Sequence, residues 1–314
     1  MEILMIILFI VIGLVVLTYG ADIFVNGASK IAVRFNISPV AIGLTIVAFG
    51  TSAPELSVNI ISVMQGNPDI ALGNVVGSNI FNIVLILGLC GVIMPLTFSR
   101  QLIRFDIPLM IVASVMLWIF GRDFKIGFIE SAIFAALIIG YTYLQFKSSK
   151  ANVGEVEEDI KAEGSVLMDV GRLLLGLGML IGGAKLFVSG AVDGARLLGM
   201  SEAVIGLTIV AAGTSLPEVA TSVVATIRGQ RDIAIGNVVG SNIFNIFSVL
   251  GFSGLLASQG LSVNEHIQNI DIPLMIGVSL LTFIFAFSTK KLNRPMGAIF
   301  LLIYIGYTYY LIQK

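Results

Sequence analysis

The chain has 314 residues, of which 57% are hydrophobic and only 12% are charged, and its mean hydropathy is +1.00. Soluble domains are about 45–50% apolar, whereas apolar runs of about 18–25 residues recur here, long enough to cross a bilayer as helix, so we predict an all-α membrane protein. The net charge of −1 without a basic cluster gives no indication of a nucleic-acid partner, one cysteine excludes an internal disulfide, and one histidine excludes a multi-histidine metal site.

Five helices are predicted in the first half of the chain. The first begins near Ile3, after a start without basic residues, so we interpret it as a membrane helix and not as a cleaved signal peptide. In the second, Ser38 supplies an N-cap and Pro39 a first-turn proline, while Gly50 and Pro54 interrupt the middle. The helices are expected at about residues 3–34, 39–65 and 69–94, from about 106 onward, and at 126–146.

The helical pattern then stops and restarts. Residues 148–165 are hydrophilic and acidic and are expected to form a solvated linker. Helices follow from Val166 to about residue 198, after a cap at Ser201 and Glu202, after residue 232, after residue 271, and up to about residue 312. The chain therefore divides into a first five-helix unit at 1–147, the linker at 148–165, and a second five-helix unit at 166–314.

Two blocks of sequence occur twice, each time 163 positions apart. IGLTIVAFGTSAPE at 42–55 returns as IGLTIVAAGTSLPE at 205–218, with twelve of fourteen positions identical. DIALGNVVGSNIFNI at 69–83 returns as DIAIGNVVGSNIFNI at 232–246, with fourteen of fifteen identical. Because each unit has an odd number of helices, the second must enter the membrane from the opposite side. We therefore predict ten transmembrane helices in two inverted five-helix repeats, a common architecture of secondary transporters.

The orientation follows from the excess of positive charge in cytoplasmic loops. One side of the membrane would carry thirteen basic residues, Lys30, Arg34, Arg100, Arg104, Lys147, Lys150, Lys161, Arg172, Arg228, Arg231, Lys290, Lys291 and Arg294. The other side would carry four, Arg122, Lys125, Arg196 and Lys314. We expect a cell-membrane protein with a cytoplasmic linker and both termini outside.

The first repeated block places polar groups at mid-membrane. Gly50 and Pro54 weaken the helix, and non-helical backbone at that depth is tolerated only where it lines a cavity or is buried in protein. Thr51 and Glu55 share a helix face, and Ala48 lies one turn earlier. The equivalent residues of the second copy are Thr214, Glu218 and Ala211. A charge at the bilayer centre costs at least about 2.5–3.5 kcal/mol, so each glutamate needs a partner, and a cation from solution is the natural one.

The second block supplies a facing wall. Asn74, Ser78 and Asn82 are spaced by four and form one stripe of the third helix. The eighth helix repeats it with Asn237, Ser241 and Asn245. Carboxylate, hydroxyl, carboxamide and backbone oxygens suit Ca²⁺ or Na⁺ and not soft metals. Two negative charges balance one Ca²⁺, or could hold several Na⁺ with the neutral oxygens.

Other polar residues in the helices have simpler interpretations. Asn79 and Asn242 point away from these stripes and are expected to serve in packing or capping. Asp106 and Asp271 each precede an Ile-Pro pair and are expected to be helix N-caps. Asp22 is expected to form an ion pair or to reach the membrane surface.

The repeated blocks resemble the α-repeats of the calcium:cation antiporter superfamily, in particular those of prokaryotic sodium/calcium exchangers. The strings that carry the resemblance are GTSAPE at 50–55 with GN at 73–74 and GSN at 77–79, and GTSLPE at 213–218 with GN at 236–237 and GSN at 240–242. The resemblance implies that the second, third, seventh and eighth helices enclose the ion sites. It also implies that the first and sixth helices slide across this core to alternate access.

The same resemblance implies roles for individual residues. Glu55 and Glu218 would be central carboxylates shared by Ca²⁺ and Na⁺, and Thr51 and Thr214 would bind Ca²⁺ through their carbonyls. The implied Na⁺ ligands are Ser52, Ser215, Ser78, Ser241, Ala48 and Ala211.

There are two departures from the family pattern. Members of the family often carry aspartate at one or both of the positions held here by Asn82 and Asn245. The carboxamides remain candidate ligands, but an ionisable group is lost. The linker is far too short for the cytosolic calcium-sensing domains of animal relatives, so no such regulation is expected.

The predicted function is secondary antiport of Na⁺ against Ca²⁺ by alternating access, without an enzymatic activity, a cofactor or an obligatory protein partner. The substrates would be the two ions, and the surroundings the lipid bilayer. Proton/calcium exchange, a K⁺-dependent or Mg²⁺-moving variant, and a cation channel remain alternatives. An intramembrane metalloprotease is weakest, because an H-E-x-x-H motif is missing.

Overall fold

The computed structural model describes residues 2–149, 165–200, 209 and 211–313. These residues are almost entirely helical, and their helices and four short strands, in chain order, are α1 (Glu2–Arg34), α2 (Pro39–Thr51), α3 (Ala53–Met64), α4 (Pro68–Phe81, Asn82–Leu87 and Gly88–Ile93), β1 (Leu96–Thr97), α5 (Leu102–Asp106 and Ile107–Phe120), β2 (Lys125–Ile126), α6 (Phe128–Ser149), α7 (Val166–Leu197), α8 (Ala211–Gly213), α9 (Leu216–Ile227), α10 (Arg231–Phe244, Asn245–Leu250 and Gly251–Leu256), β3 (Leu261–Ser262), α11 (Ile267–Asp271 and Ile272–Thr289), β4 (Lys291–Leu292) and α12 (Arg294–Ile312). The predicted cap at Ser201 and Glu202 and most of the predicted linker lie outside the described residues.

The described helices are those of a multi-pass membrane protein. Seven of them are long and apolar enough to cross a membrane, and the bent pair α2 and α3 would make an eighth span. The predicted count of ten spans and the inverted relation of the repeats stay predictions.

The long helices α1 and α7 cross each other at a row of glycines. Gly13, Gly20 and Gly27 lie seven residues apart on α1. A Cβ atom on Gly13 would lie 2.5 Å from the amide nitrogen of Phe187, and one on Gly27 would lie 3.0 Å from that of Leu173. The contact moves toward the start of α7 as it moves toward the end of α1, so the two helices are antiparallel. Only glycine allows backbones this close.

The predicted interruption of the second helix is confirmed. Ser52 has φ −83° and ψ 3°, outside the helical region, and α2 and α3 meet there at an angle of 42°. Pro54 lies in the first turn of α3, where its missing N–H costs nothing. Ser215 has nearly the same backbone angles, φ −90° and ψ 4°, directly before α9 and its Pro217. Both repeats are therefore broken at the serine of the GTS motif.

The two halves are also joined by short strand pairs. Strand β1 pairs antiparallel with β4, and β2 pairs antiparallel with β3. The fifth predicted helix, expected from about Ile126, is confirmed as α6 and begins two residues later at Phe128, because Ile126 pairs with Leu261 in the second strand pair. Such a pair is decided by a partner more than a hundred residues away, so local sequence carries little sign of it.

The predicted N-cap roles of Asp106 and Asp271 are wrong. Both residues have helical backbone angles, and neither side chain accepts a capping bond. A wider π turn precedes each proline, which accommodates the missing N–H without ending the helix. Asp106 instead accepts a hydrogen bond from the Tyr141 hydroxyl at 3.1 Å, and Asp271 accepts one from the Tyr307 hydroxyl at 3.0 Å. The two aspartates tie α5 to α6 and α11 to α12.

The centre of the molecule is formed by α10, whose apolar stretch is buried throughout. It packs against α2 through glycines. A Cβ on Gly236 would lie 3.0 Å from the Cα of Gly43, and one on Gly240 would lie 2.8 Å from the Cα of Leu44. Within the described part of the chain, the equivalent glycines of α4, Gly73 and Gly77, make no such approach, because a Cβ atom there would meet only one side-chain atom at 3.7 Å or nothing within 4 Å. The approach brings the polar stripe of α10 against the break between α2 and α3.

Candidate ion-binding site

The two glutamates of the repeated motif lie at matching places. Glu55 is in the first turn of α3 and Glu218 in the first turn of α9, and both side chains are fully buried. Each helix restarts after its break, so free backbone N–H groups and the positive end of the helix dipole lie beside the carboxylate. This arrangement tolerates a negative charge at a depth where water is excluded.

Each glutamate is held by a serine from the other half of the chain. Ser52 Oγ donates to Glu218 Oε1 at 3.0 Å, and Ser215 Oγ donates to Glu55 Oε1 at 3.1 Å. The serines can reach across because they sit at the breaks, where their side chains leave the helix axis. Ser78 Oγ lies 3.1 Å from Ser215 Oγ and joins the same cluster.

The threonines of the motif also face the opposite half. Thr51 Oγ1 donates to Asn237 Oδ1 at 3.0 Å and lies 3.5 Å from Ser241 Oγ. Thr214 Oγ1 approaches Asn74 Oδ1 at 3.5 Å. The group of Thr51, Asn237 and Ser241 is fully buried. Thr214 and Asn74 are only partly buried. The site is therefore more enclosed on the α10 side than on the α4 side.

Four oxygen atoms in this region are left over. Glu55 Oε2, Glu218 Oε2, Asn82 Oδ1 and Asn245 Oδ1 are buried and find no hydrogen-bond partner among the described residues. Buried polar atoms are nearly always paired, so four unpaired acceptors in matching positions require an explanation. Oxygen acceptors without donors are what a hard cation would satisfy.

In the part of the chain that the structure describes, the two glutamates also lack a counter-charge. Among the ion pairs formed by described residues, none includes Glu55 or Glu218. No group of three or more His, Cys, Asp or Glu side chains that could hold a metal ion lies within the described ranges. The arrangement thus offers two charges and many neutral oxygens, which is unlike a thiolate or imidazole metal centre.

The structure brings most of the predicted site residues together. Hydrogen bonds join Ser52 to Glu218 and Ser215 to Glu55 and Ser78, the Thr51 hydroxyl lies 3.5 Å from that of Ser241, and Thr214 approaches Asn74. Asn82 and Asn245 follow one turn after Ser78 and Ser241 on α4 and α10, and each has a buried oxygen without a partner among the described residues. Ala48 is buried nearby, and its carbonyl accepts the Ser52 N–H at 3.0 Å and the Thr51 hydroxyl at 3.3 Å. The side chain of Ala211 lies outside the described residues.

Sequence reasoning missed the residues that support this cluster. Asn59 Nδ2 donates to the Ala71 carbonyl at 3.1 Å, and its Oδ1 accepts from Asn74 Nδ2 at 3.0 Å. At the matching place Asn237 Nδ2 donates to Ser222 Oγ at 2.9 Å. Asn59 and Ser222 lie four residues after the glutamates, on the same helix face, which is the signal that could have revealed them.

Comparison with known proteins agrees with this geometry. The family model described as "Sodium/calcium exchanger protein" matches residues 5–147 and again residues 168–313. The chain belongs to this family. It is 34% identical to the sodium/calcium exchanger MaX1 of Methanosarcina acetivorans over 96% of both chains, and 32% identical to the inner membrane protein YrbG of Escherichia coli over 86% of this chain and 85% of that protein.

The fold is shared with solved structures of another exchanger. A structure of the sodium-calcium exchanger NCX_Mj soaked with zero Na⁺ and Ca²⁺ superimposes with a TM-score of 0.86. The two chains are 33% identical, and the match covers 98% of this chain and 99% of the other. This sodium/calcium exchanger family member is therefore a cation transporter.

Proposed function

We propose that the chain is a secondary antiporter that exchanges Na⁺ for Ca²⁺ by alternating access, with overlapping ion sites around Glu55 and Glu218. The observation that carries the proposal is the pair of fully buried glutamates, each with one oxygen held by a serine and one oxygen unpaired. The ligands would be the twelve residues at positions 48, 51, 52, 55, 78, 82, 211, 214, 215, 218, 241 and 245.

Charge balance at the two glutamates couples the movement of Ca²⁺ to the movement of Na⁺. One Ca²⁺ neutralises both carboxylates, and so do two Na⁺, with any further Na⁺ held by neutral oxygens. Because a buried uncompensated charge costs at least about 2.5–3.5 kcal/mol, the empty site resists movement past the apolar part of the protein. Only a loaded site would permit α1 and α7 to slide, so the ions cross in exchange and not as a leak.

The contacts of α1 support a particular orientation of access. Asp22 on α1 forms an ion pair with Arg228 at the end of α9, and Ser29 Oγ donates to Gln230 Oε1 at 2.8 Å. We propose that these contacts close the site on the Arg228 side, so that ions reach it from the opposite side, where α3 ends. The excess of basic residues makes the Arg228 side cytoplasmic, with both termini outside.

The units of this mechanism would be two inverted five-helix repeats, residues 1–147 and 166–314, joined by the cytoplasmic linker 148–165. The antiparallel packing of α1 against α7 and the serine-to-glutamate bonds across the halves support that relation. Ten spans would follow in a cell membrane, with no cofactor and no obligatory partner chain.

The test is uptake of ⁴⁵Ca²⁺ into proteoliposomes loaded with Na⁺ and diluted into Na⁺-free buffer at equal pH on both sides. Uptake that requires internal Na⁺ is the expected result, and parallel vesicles with internal K⁺ or a pH gradient test the other coupling ions. Uptake that responds to the pH gradient alone would move the protein to proton-coupled exchange. Ohmic current without counter-transport would make it a channel.

A further inference from the structure

Four asparagines form a closed hydrogen-bonded lattice between α4 and α10. Asn79 Nδ2 donates to the carbonyl of Asn242 at 3.1 Å, and Asn242 Nδ2 donates to the carbonyl of Asn79 at 3.3 Å. Asn245 Nδ2 donates to Asn79 Oδ1 at 3.0 Å, and Asn82 Nδ2 donates to Asn242 Oδ1 at 3.0 Å. All four side chains are buried to at least 99%.

The lattice leaves each carboxamide only one orientation. A backbone carbonyl can only accept, so the end of the Asn79 side chain that faces Asn242 must be the NH₂ group. The Asn79 side-chain oxygen then faces Asn245. The NH₂ group of Asn245 must therefore be the end that donates to this oxygen. By the same chain of reasoning, the carbonyl of Asn79 orients Asn242, and Asn242 Oδ1 orients Asn82. The backbone carbonyls of Asn79 and Asn242 thereby determine the orientation of the Asn245 and Asn82 amides, which are the outer two of the lattice.

The amides of Asn82 and Asn245 consequently turn their oxygens away from the donors of the lattice. Asn82 Oδ1 and Asn245 Oδ1 are among the buried acceptors that find no donor in the described part of the chain, as is one oxygen of each glutamate. A flipped amide would aim a partly positive NH₂ group at the same place. The difference between the two orientations is the difference between attracting and repelling a cation.

We propose that Asn79 and Asn242 are positioning residues that hold the carboxamides of Asn245 and Asn82 with their oxygens toward the transported ion. The inference rests on the proposed cation site at Glu55 and Glu218. Asn79 and Asn242 touch no ion themselves. They act as the supports of ligands do in metal sites, where loss of such a support costs about 10–100-fold in affinity. The site thus gains two neutral oxygens of fixed direction.

The test is a double-mutant cycle on Ca²⁺ affinity, read from the Ca²⁺-dependent rise in melting temperature of the purified full chain in Na⁺-free buffer. We expect Asn79→Leu alone to raise the apparent Kd about tenfold or more. In an Asn245→Leu background the same substitution should change the Kd less than about twofold, because the amide that Asn79 orients is gone. In an Asn82→Leu background its full effect should persist, since Asn82 is held by Asn242.

The cross-background control separates positioning from damage to the fold. An effect of Asn79→Leu that is equal in both backgrounds, or absent from the wild type, overturns the inference. If the leucine variant does not fold, Asn79→Ser serves in the same cycle, because a serine is too short to reach Asn245, and the same outcomes apply. A wild-type chain whose melting temperature responds to neither Ca²⁺ nor Na⁺ would overturn the proposed function, which is a distinct result.

Discussion

Ser52 donates a hydrogen bond to Glu218 at 3.0 Å, although the two residues are 166 positions apart in the chain. The reciprocal bond from Ser215 to Glu55 spans 160 positions. Each carboxylate therefore belongs to one half of the chain and the hydroxyl that orients it belongs to the other. The site is complete only when both halves are packed, which explains why its motif occurs twice.

The serine at the break is expected to matter for ion affinity. Ser52→Ala should raise the half-saturating Ca²⁺ concentration for uptake about tenfold, because a hydrogen bond to a charged group contributes about 1.5–3 kcal/mol. Ser57→Ala is the matched control, since the Ser57 hydroxyl is exposed and donates to the Ala53 carbonyl of its own helix. Concentration series of ⁴⁵Ca²⁺ uptake for the two variants make the comparison. Equal effects of both substitutions would argue against the cross-half bond.

Neutralising either glutamate should abolish exchange without unfolding the protein. Glu55→Gln or Glu218→Gln keeps the side-chain volume and removes a buried charge that has no counter-ion among the described residues, so the ion-free melting temperature should stay or rise. Ca²⁺ should no longer raise it, because charge balance is lost. Uptake assays and thermal melts with and without Ca²⁺ measure both effects. Exchange at the wild-type rate in either variant would remove the glutamates from the mechanism.

The ion pair between Asp22 and Arg228 should bias the direction of access. Asp22→Asn weakens the closed contact, so the Ca²⁺ affinity measured from the Arg228 side should rise about two- to fivefold, in keeping with the about 0–1 kcal/mol of a partly exposed pair. The measurement is ⁴⁵Ca²⁺ exchange in vesicles of known orientation. The double variant Asp22→Arg with Arg228→Asp should restore the wild-type value. A swap that behaves like the single variant would contradict the role of the pair.

The glycine contact between α10 and α2 should be sensitive to one methyl group. A Cβ on Gly240 would lie 2.8 Å from the backbone of Leu44, which cannot move aside. Gly240→Ala is therefore expected to destabilise the protein by about 1–3 kcal/mol. Gly277→Ala on α11 is the control, since a Cβ there meets nothing within 4 Å among the described residues. Thermal melts of the two variants should differ, and similar losses would mean that the close approach is unimportant.

Much of the fold follows from local sequence. Residues within one or two turns set the length of α1, the cap at Ser38, the interruption between Gly50 and Pro54, and the restart at Val166. All four predictions are confirmed, and the structure places the interruption at Ser52. The meeting of the two GTS motifs could be expected from the internal repeat, because equal motifs at equal depth form matching halves of one centre.

The features that local sequence does not predict depend on which helices are in contact. The role of Asp106 is decided by Tyr141 on another helix, and the pairing of Ile126 by Leu261, so neither can be read from neighbours in sequence. The sequence pattern indicates packing or capping for Asn79, because the residue points away from the stripe that contains Asn74. It lies between α4 and α10, and only their contact reveals that its partners are asparagines.

The most direct measurement of the central claim is equilibrium binding of ⁴⁵Ca²⁺ to the purified protein over a series of Na⁺ concentrations. If Ca²⁺ and Na⁺ share the site at Glu55 and Glu218, Na⁺ should displace Ca²⁺ completely and steeply, with more than one Na⁺ per Ca²⁺, and Glu55→Gln should bind no Ca²⁺. Ca²⁺ binding that Na⁺ leaves unchanged, or that survives in Glu55→Gln, would contradict a shared site.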